Sequence, residues 1–300
     1  METFYSHGKL LITSEYLVLK GAKALAIPCN KGQILKFNSN SSKTLNWKSY
    51  DLNDNIWFEA IFECKNLNCV KSKQTSTAKS LSNILKEIRK IKPEFLSFNG
   101  GNIETKLEFN LNWGLGSSST LISNLSKWNK LNPYKLLSKT FGGSGYDIAC
   151  SLAENPIIYE IGNNKFYNTT FNPPFKDKLF FIYQNKKQNS KIEVKRFNKI
   201  KVNKKIMDNI NSITKILSKT KNQEEFNYLI VEHEKLISNV INKTPIKKLK
   251  FSDFKGEIKS LGAWGGDFIL ASGIDSPEYF KSKGYNTVIN FSDMVYHKAN

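Results

Sequence analysis

The segment Trp113-Gly114-Leu115-Gly116-Ser117-Ser118-Ser119 follows a stretch of strand character, Ile103 to Leu111, and leads into apolar residues at helical spacing, Leu121, Leu125 and Trp128. Glycines at such a junction let backbone N–H groups approach an anion, and a helix N-terminus adds unpaired donors and a favourable dipole. Serine hydroxyls are further donors. The lysine of G-x-x-x-x-G-K-[ST] is missing, so this is not a P-loop of that kind. Taken alone, the segment reads equally as a phosphate-binding turn or as a capped helix start.

Upstream of this loop the chain reads mostly as strands. Tyr5 to Thr13, Leu25 to Phe37, Thr44 to Asp51 and Ile56 to Cys64 are rich in β-branched and aromatic residues, and turn-forming residues such as Asn53-Asp54-Asn55 separate them. Leu81, Ile84, Leu85, Ile88 and Ile91 predict a helix over Thr77 to Ile91. Downstream, a short helix is expected after Asn132-Pro133, because proline suits a first helical turn. Another is expected from the glycines at 142–145 through about Ala153. Strands at Ile157 to Ile161, Lys165 to Phe171 and Leu179 to Gln184 precede lysine-rich helices between Lys191 and Lys248. The end reads as strand (Phe268 to Ala271), helix (Ser276 to Lys283) and strand (Thr287 to Phe291). Without regular β-α alternation the class is α+β. A boundary near Asn155-Pro156 divides the chain into domains 1–155 and 156–300.

Three other elements carry chemistry. Gly142-Gly143-Ser144-Gly145-Tyr146-Asp147 places a carboxylate just inside a helix, where it is either a proton acceptor or an ordinary first-turn acid favoured by the dipole. Gly262-Ala263-Trp264-Gly265-Gly266-Asp267 is a ligand-covering loop or a tight hairpin turn. Gly8-Lys9, followed by Glu15-Tyr16, sets a lysine and a glutamate beside apolar strand residues.

Composition narrows the classes. The formal net charge is +19, but all basic residues except Arg89 and Arg196 are lysines, they are dispersed, and asparagine is abundant. That skew reads as composition bias rather than as a nucleic-acid face, although it suits anionic small molecules. Cys29, Cys64, Cys69 and Cys150 form no C-x-x-C pair and have no histidine at metal-ligand spacing, so free thiols are expected. No stretch approaches the roughly 20 apolar residues of a membrane span, and the first twenty residues have no apolar signal core. A cytoplasmic protein without membrane or nucleic-acid partners is expected.

In this order in one chain, the four elements resemble the GHMP kinases, the superfamily of galactokinase, homoserine kinase, mevalonate kinase and phosphomevalonate kinase. Gly114-Leu115-Gly116-Ser117-Ser118 is similar to the family's phosphate loop, and Ser144-Gly145-Tyr146-Asp147 sits where the family has its catalytic aspartate. Gly262-Ala263-x-Gly265-Gly266-Asp267 is similar to the third motif, with the aspartate closest to phosphomevalonate kinases. Gly145-Tyr146-Asp147-Ile148-Ala149 spells the name of the GYDIA subgroup. The resemblance implies an N-terminal domain like ribosomal protein S5 domain 2 and a ferredoxin-like C-terminal domain, with ATP and Mg2+ as cofactors. It implies Gly114, Leu115, Gly116, Ser117, Ser118 and Ser119 at the nucleotide phosphates, with Ser118 also on the metal. Asp147 and Lys9 would be catalytic, and Glu15, Ser144, Gly145, Gly262, Gly265, Gly266 and Asp267 would lie on the substrate side. Monomer and homodimer both fit.

Three departures stand out. No proline precedes the phosphate loop, and Trp264 replaces a glycine of the third motif, which is expected to narrow the substrate pocket. Where mevalonate kinases carry a glutamate Mg2+ ligand this chain has Leu136, so the cation is expected to lean on phosphates and water. Asp147 with Lys9 favours an alcohol acceptor such as mevalonate. Asp267 and the segment Gln184-Asn185-Lys186-Lys187-Gln188-Asn189-Ser190-Lys191 favour phosphomevalonate. Homoserine, a sugar, or a catalytically silent binding protein are the other readings.

Overall fold

The computed structural model describes residues 1–162, 165–188 and 190–298. The chain forms two compact units, and neither is a simple stretch of sequence. One contains Met1–Gly8, Lys31–Leu111 and Gly116–Leu152; the other contains Lys9–Asn30, Asn112–Leu115 and the chain from Ala153 onward.

The first unit begins with β1 (Glu2–Leu11), which pairs with the long β2 (Ala24–Asn40). Then come β3 (Thr44–Tyr50), β4 (Ile56–Glu63), β5 (Cys69–Lys71), α1 (Thr75–Ile91) and β6 (Gly100–Leu107). Their sheet order is β5-β4-β3-β6-β2. β3 and β4 form an antiparallel hairpin with Trp47 opposite Ala60. β3 and β6 are parallel, Trp47 facing Ile103, a pairing that requires a crossover; α1 lies within it. Leu45 and Trp47 alternate inward on β3, as the strand pleat dictates, and meet Leu81, Ile84, Leu85 and Ile88 from the apolar stripe of α1. α2 (Ser117–Asn129), α3 (Pro133–Lys139) and α4 (Tyr146–Leu152) complete the unit, contributing Ile122, Leu125, Leu136 and Ile148 to the same core. Asn132 caps α3 by accepting the Tyr134 and Lys135 N–H groups, with Pro133 in its first turn.

In the second unit, the start of β2 pairs with β7 (Ile157–Glu160), which pairs with β8 (Lys165–Asn168). Next are β9 (Leu179–Tyr183), α5 (Ser190–Phe197), α6 (Lys204–Leu217), α7 (Gln223–Ile241), α8 (Ile246–Lys250), β10 (Glu257–Ser260), β11 (Phe268–Ser272), α9 (Ser276–Ser282), β12 (Val288–Asn290) and α10 (Phe291–Met294). The sheet order is β10-β11-β9-β12 with every neighbour antiparallel. This order, with helices between β9 and β10 and between β11 and β12, is the ferredoxin-like arrangement. β11 is buried at every position, so it reads as a continuous apolar run rather than an alternation. Its apolar clusters include Phe251, Phe254 and Phe280 with Ile182 and Ile269, and Tyr16, Leu17, Phe197, Ile210 and Ile237 with Trp264.

β5 and β10 are not anticipated from the sequence. β5 is three residues long at a sheet edge, and β10 hides behind Lys259, which is fully buried where its residue type suggests solvent. β6 starts three residues before the expected Ile103, because Gly100 and Gly101 extend the ladder opposite Asn40 and Ser39. All four cysteines are free. Among the described residues, no helix is long and apolar enough to cross a membrane.

Candidate functional site

The first unit carries Gly116 to Ser119 and Gly142 to Asp147. Gly116 is the N-cap of α2, with φ of 89°, and having no side chain it caps none of the first-turn N–H donors. Ser119 is buried and its hydroxyl donates back to the Gly116 carbonyl at 2.8 Å. Thr120 donates to the Gln33 side chain at 2.7 Å, fixing the helix start against β2. Ser118 is exposed and its hydroxyl makes no hydrogen bond among the described residues. At α4, Gly145 has φ of 86° and its carbonyl accepts the Ala149 N–H, so Asp147 falls in the first helical turn, half-buried, behind the buried Ser144. Leu136 is fully buried in the core, so its position offers no metal ligand.

The second unit carries Lys9, Glu15, Gly114, Leu115 and the loop at 262–267. Lys9 is half-buried on β1, and its N–H donates to the Leu115 carbonyl at 2.9 Å. Trp113 meets Phe268 edge-on at 5.6 Å, giving the loop an aromatic anchor where a proline is missing. Asp267 adopts φ of 54°. Its carboxylate accepts the Gln188 N–H at 3.1 Å, and its own N–H donates to the Lys186 carbonyl at 2.7 Å. A Cβ on Gly114 would lie 2.7 Å from the Asp267 carboxyl carbon, so glycine there permits the close approach as well as the φ of 70°. Burial raises the Asp267 carboxyl above its ordinary pKa, opposed by the Gln188 N–H and the charges of Lys9 and Lys187. Thus Lys9, the 114–115 turn, Asp267 and the 186–188 segment come together within this unit. Asn189 lies outside the described residues.

Two expected substrate-side features are buried. Trp264 packs into the apolar cluster with Tyr16 and Phe197, only 3% exposed. Glu15 is fully buried and ion-paired with Lys259, itself fully buried. Around that pair stand Glu234, 3.8 Å from the Lys259 ammonium, and His233, 3.5 Å from the second Glu15 oxygen. Glu234 accepts from the Ser260 N–H at 2.9 Å and from its hydroxyl at 3.0 Å. His233 Nε2 accepts the Ser14 N–H at 2.8 Å, so that nitrogen carries no proton, and burial with the Lys259 charge holds the ring's pKa well below its ordinary value. Sequence reading missed Lys259, His233 and Glu234. The available signal was helical spacing: Phe226, Ile230, His233, Glu234 and Ile237 share the buried face of α7.

No family sequence model matches the chain, and no curated protein sequence matches it. Solved structures do match over its full length. Methanococcus jannaschii mevalonate kinase superposes with a TM-score of 0.71 at 16% identity, covering 99% of this chain and 98% of that one. Streptococcus pneumoniae phosphomevalonate kinase in complex with phosphomevalonate and AMPPNP gives 0.67 at 16%, covering 98% and 97%. Lactococcus lactis galactokinase complexed with galactose gives 0.71 at 13%, covering 99% and 94%. At these identities the likeness establishes the fold: this chain has the α+β fold of the GHMP kinases.

Proposed function

We propose that the chain is an ATP-dependent small-molecule kinase that transfers the γ-phosphoryl group to an intermediate of the mevalonate pathway, phosphomevalonate or mevalonate. The observation that carries this reading is the start of α2, where first-turn donors without a side-chain cap follow the left-handed Gly114 and Gly116. The backbone of 114–119 is assigned to the nucleotide phosphates. Ser119 contributes through its N–H, since its hydroxyl is committed to Gly116. Ser118, with an exposed hydroxyl, is assigned to the metal as well. Bound Mg2+ supplies charge neutralisation on the phosphates. Such an ion would keep water and phosphate ligands besides Ser118. Asp147 orients or accepts the acceptor's proton, and Lys9 stabilises developing negative charge; the rate comes from positioning and electrostatics. Asp267 fixes the backbone next to Lys187, favouring an acceptor that already carries negative charge.

The test is a coupled ADP-release assay offering phosphomevalonate, mevalonate, homoserine and galactose separately. Acceptor-dependent turnover with either of the first two supports the proposal. Turnover only with homoserine or galactose reassigns the acceptor, and ATP binding without turnover on any of them overturns the enzyme reading.

A further inference from the structure

Lys259 is a charged side chain without access to solvent, and the proposed phosphoryl transfer does not use it. It ends β10 beside Ser260, and the Leu261 N–H to Phe268 carbonyl hydrogen bond then closes the base of the hairpin loop at 262–267. We infer that Lys259, gripped by Glu15 and Glu234, is a positioning residue that ties this loop to the turn at 14–16, and that its two carboxyl partners share one proton. The inference rests on the reading of that loop as the acceptor side of a kinase.

The turn needs holding. Ser14 and Tyr16 are not glycines, yet both sit at positive φ, 66° and 64°. Such residues are strained and persist where the surroundings over-determine them. Here the Ser14 N–H is bound by His233, the Ser14 hydroxyl by the Lys23 carbonyl at 2.5 Å, and Glu15 by Lys259. The Tyr16 ring lies 5.3 Å from Phe197, in the apolar cluster that includes Ala263 and Trp264 of the loop. The root of the first motif and the root of the third therefore meet through one ion pair and one apolar cluster.

Charge counting supplies the proton. The titratable groups facing the pair are His233 and Glu234 from α7, Tyr16 from the turn and, through Tyr16, Glu193 and Arg196 from α5. His233 is neutral, and Tyr16 stays protonated, pushed up by burial. With both carboxylates ionised, Lys259 leaves a net negative charge in a buried site. With one protonated, the site is neutral, which a low-dielectric interior strongly favours. Burial raises Glu15 to about 7 and Glu234 to about 8, in each case against the pull of Lys259. Above that range the shared proton is lost and the excess negative charge is relieved by opening the base of the loop.

Amide hydrogen exchange of the full chain across 257–272, at about pH 6 and about pH 9 and corrected for intrinsic rates, tests this. The wild type is expected to lose about tenfold protection at the higher pH, the factor equivalent to one pKa unit. Glu15→Gln, which puts a neutral amide in place of the acid, is expected to show equal protection at both. The acceptor KM, but not the ATP KM, should rise with pH in the wild type and stay flat in the variant. Equal protection in the wild type at both pH values overturns the inference, as does the same loss in Glu15→Gln. Glu234→Gln gives the same decision if Glu15→Gln does not fold. The exchange result needs no turnover, so its failure leaves the kinase reading standing, and absence of kinase activity leaves the exchange result intact.

Discussion

The glycine-rich segments at 142–145 and 262–267 look alike in sequence but use their glycines differently. Gly142 and Gly143 have φ of 66° and 109°, and a Cβ on either would meet nothing within 4 Å. Their requirement is torsional. Gly266 is the reverse case, since a Cβ there would sit 2.7 Å from the Lys186 carbonyl oxygen and 3.0 Å from the Gln188 nitrogen. The 262–267 loop is also fastened at both ends, by Lys259 at its entry and Asp267 at its exit. Gly262 and Gly265 also sit at left-handed φ, 59° and 104°, so both loops use backbone freedom, and the second adds close packing at Gly266 and charge at its two ends.

The sharpest way to break this contrast is Lys259→Met. It strands two buried carboxylates without their cation, and a loss of about 3–5 kcal/mol of stability is expected at neutral pH, measured by denaturant unfolding. The loss should shrink on acidification as both carboxylates take protons.

Wild-type stability should itself fall as pH rises. Glu15 and Glu234 have folded pKa values of about 7 and about 8, above their ordinary value, so between that value and about 8 the folded state binds more protons than the unfolded state. Stability is then greatest on the acid side of this window and is lost through it. A pH series of unfolding midpoints checks this, and Glu15→Gln should flatten it.

Gly266→Ala is expected to cost about 1–3 kcal/mol, because the atoms it meets are backbone that must shift, and to raise the acceptor KM more than the ATP KM. Gly143→Ala, with space for the methyl but a left-handed backbone, should cost about 1–2 kcal/mol and leave the ATP KM unchanged. If it instead costs more than Gly266→Ala, the distinction between the two loops fails.

These differences mark what was legible in the sequence. The strands other than β5 and β10, α1 and the start of α2 were legible because their periodicity and glycine-serine punctuation are local. The need for glycine at 114 was legible as a tight turn, but its close approach to Asp267 was not, since nothing local joins residues so distant in sequence. Glu15 was visible as part of a motif, yet its burial depends on Lys259 and α7. Lys259 concealed both a strand and an ion pair, because a lysine reads as solvent-facing until a partner far along the chain is known. Trp264 read as a pocket residue for the same reason, its neighbours Tyr16 and Phe197 being distant in sequence.

Kinase chemistry is tested most directly by comparing acceptor-dependent ADP release in the wild type and Asp147→Asn, alongside ATP affinity. The wild type should turn over with phosphomevalonate or mevalonate, and the variant should lose about 100-fold or more in kcat while binding ATP as before. No acceptor-dependent release by the wild type, or a variant as active as the wild type, would contradict it.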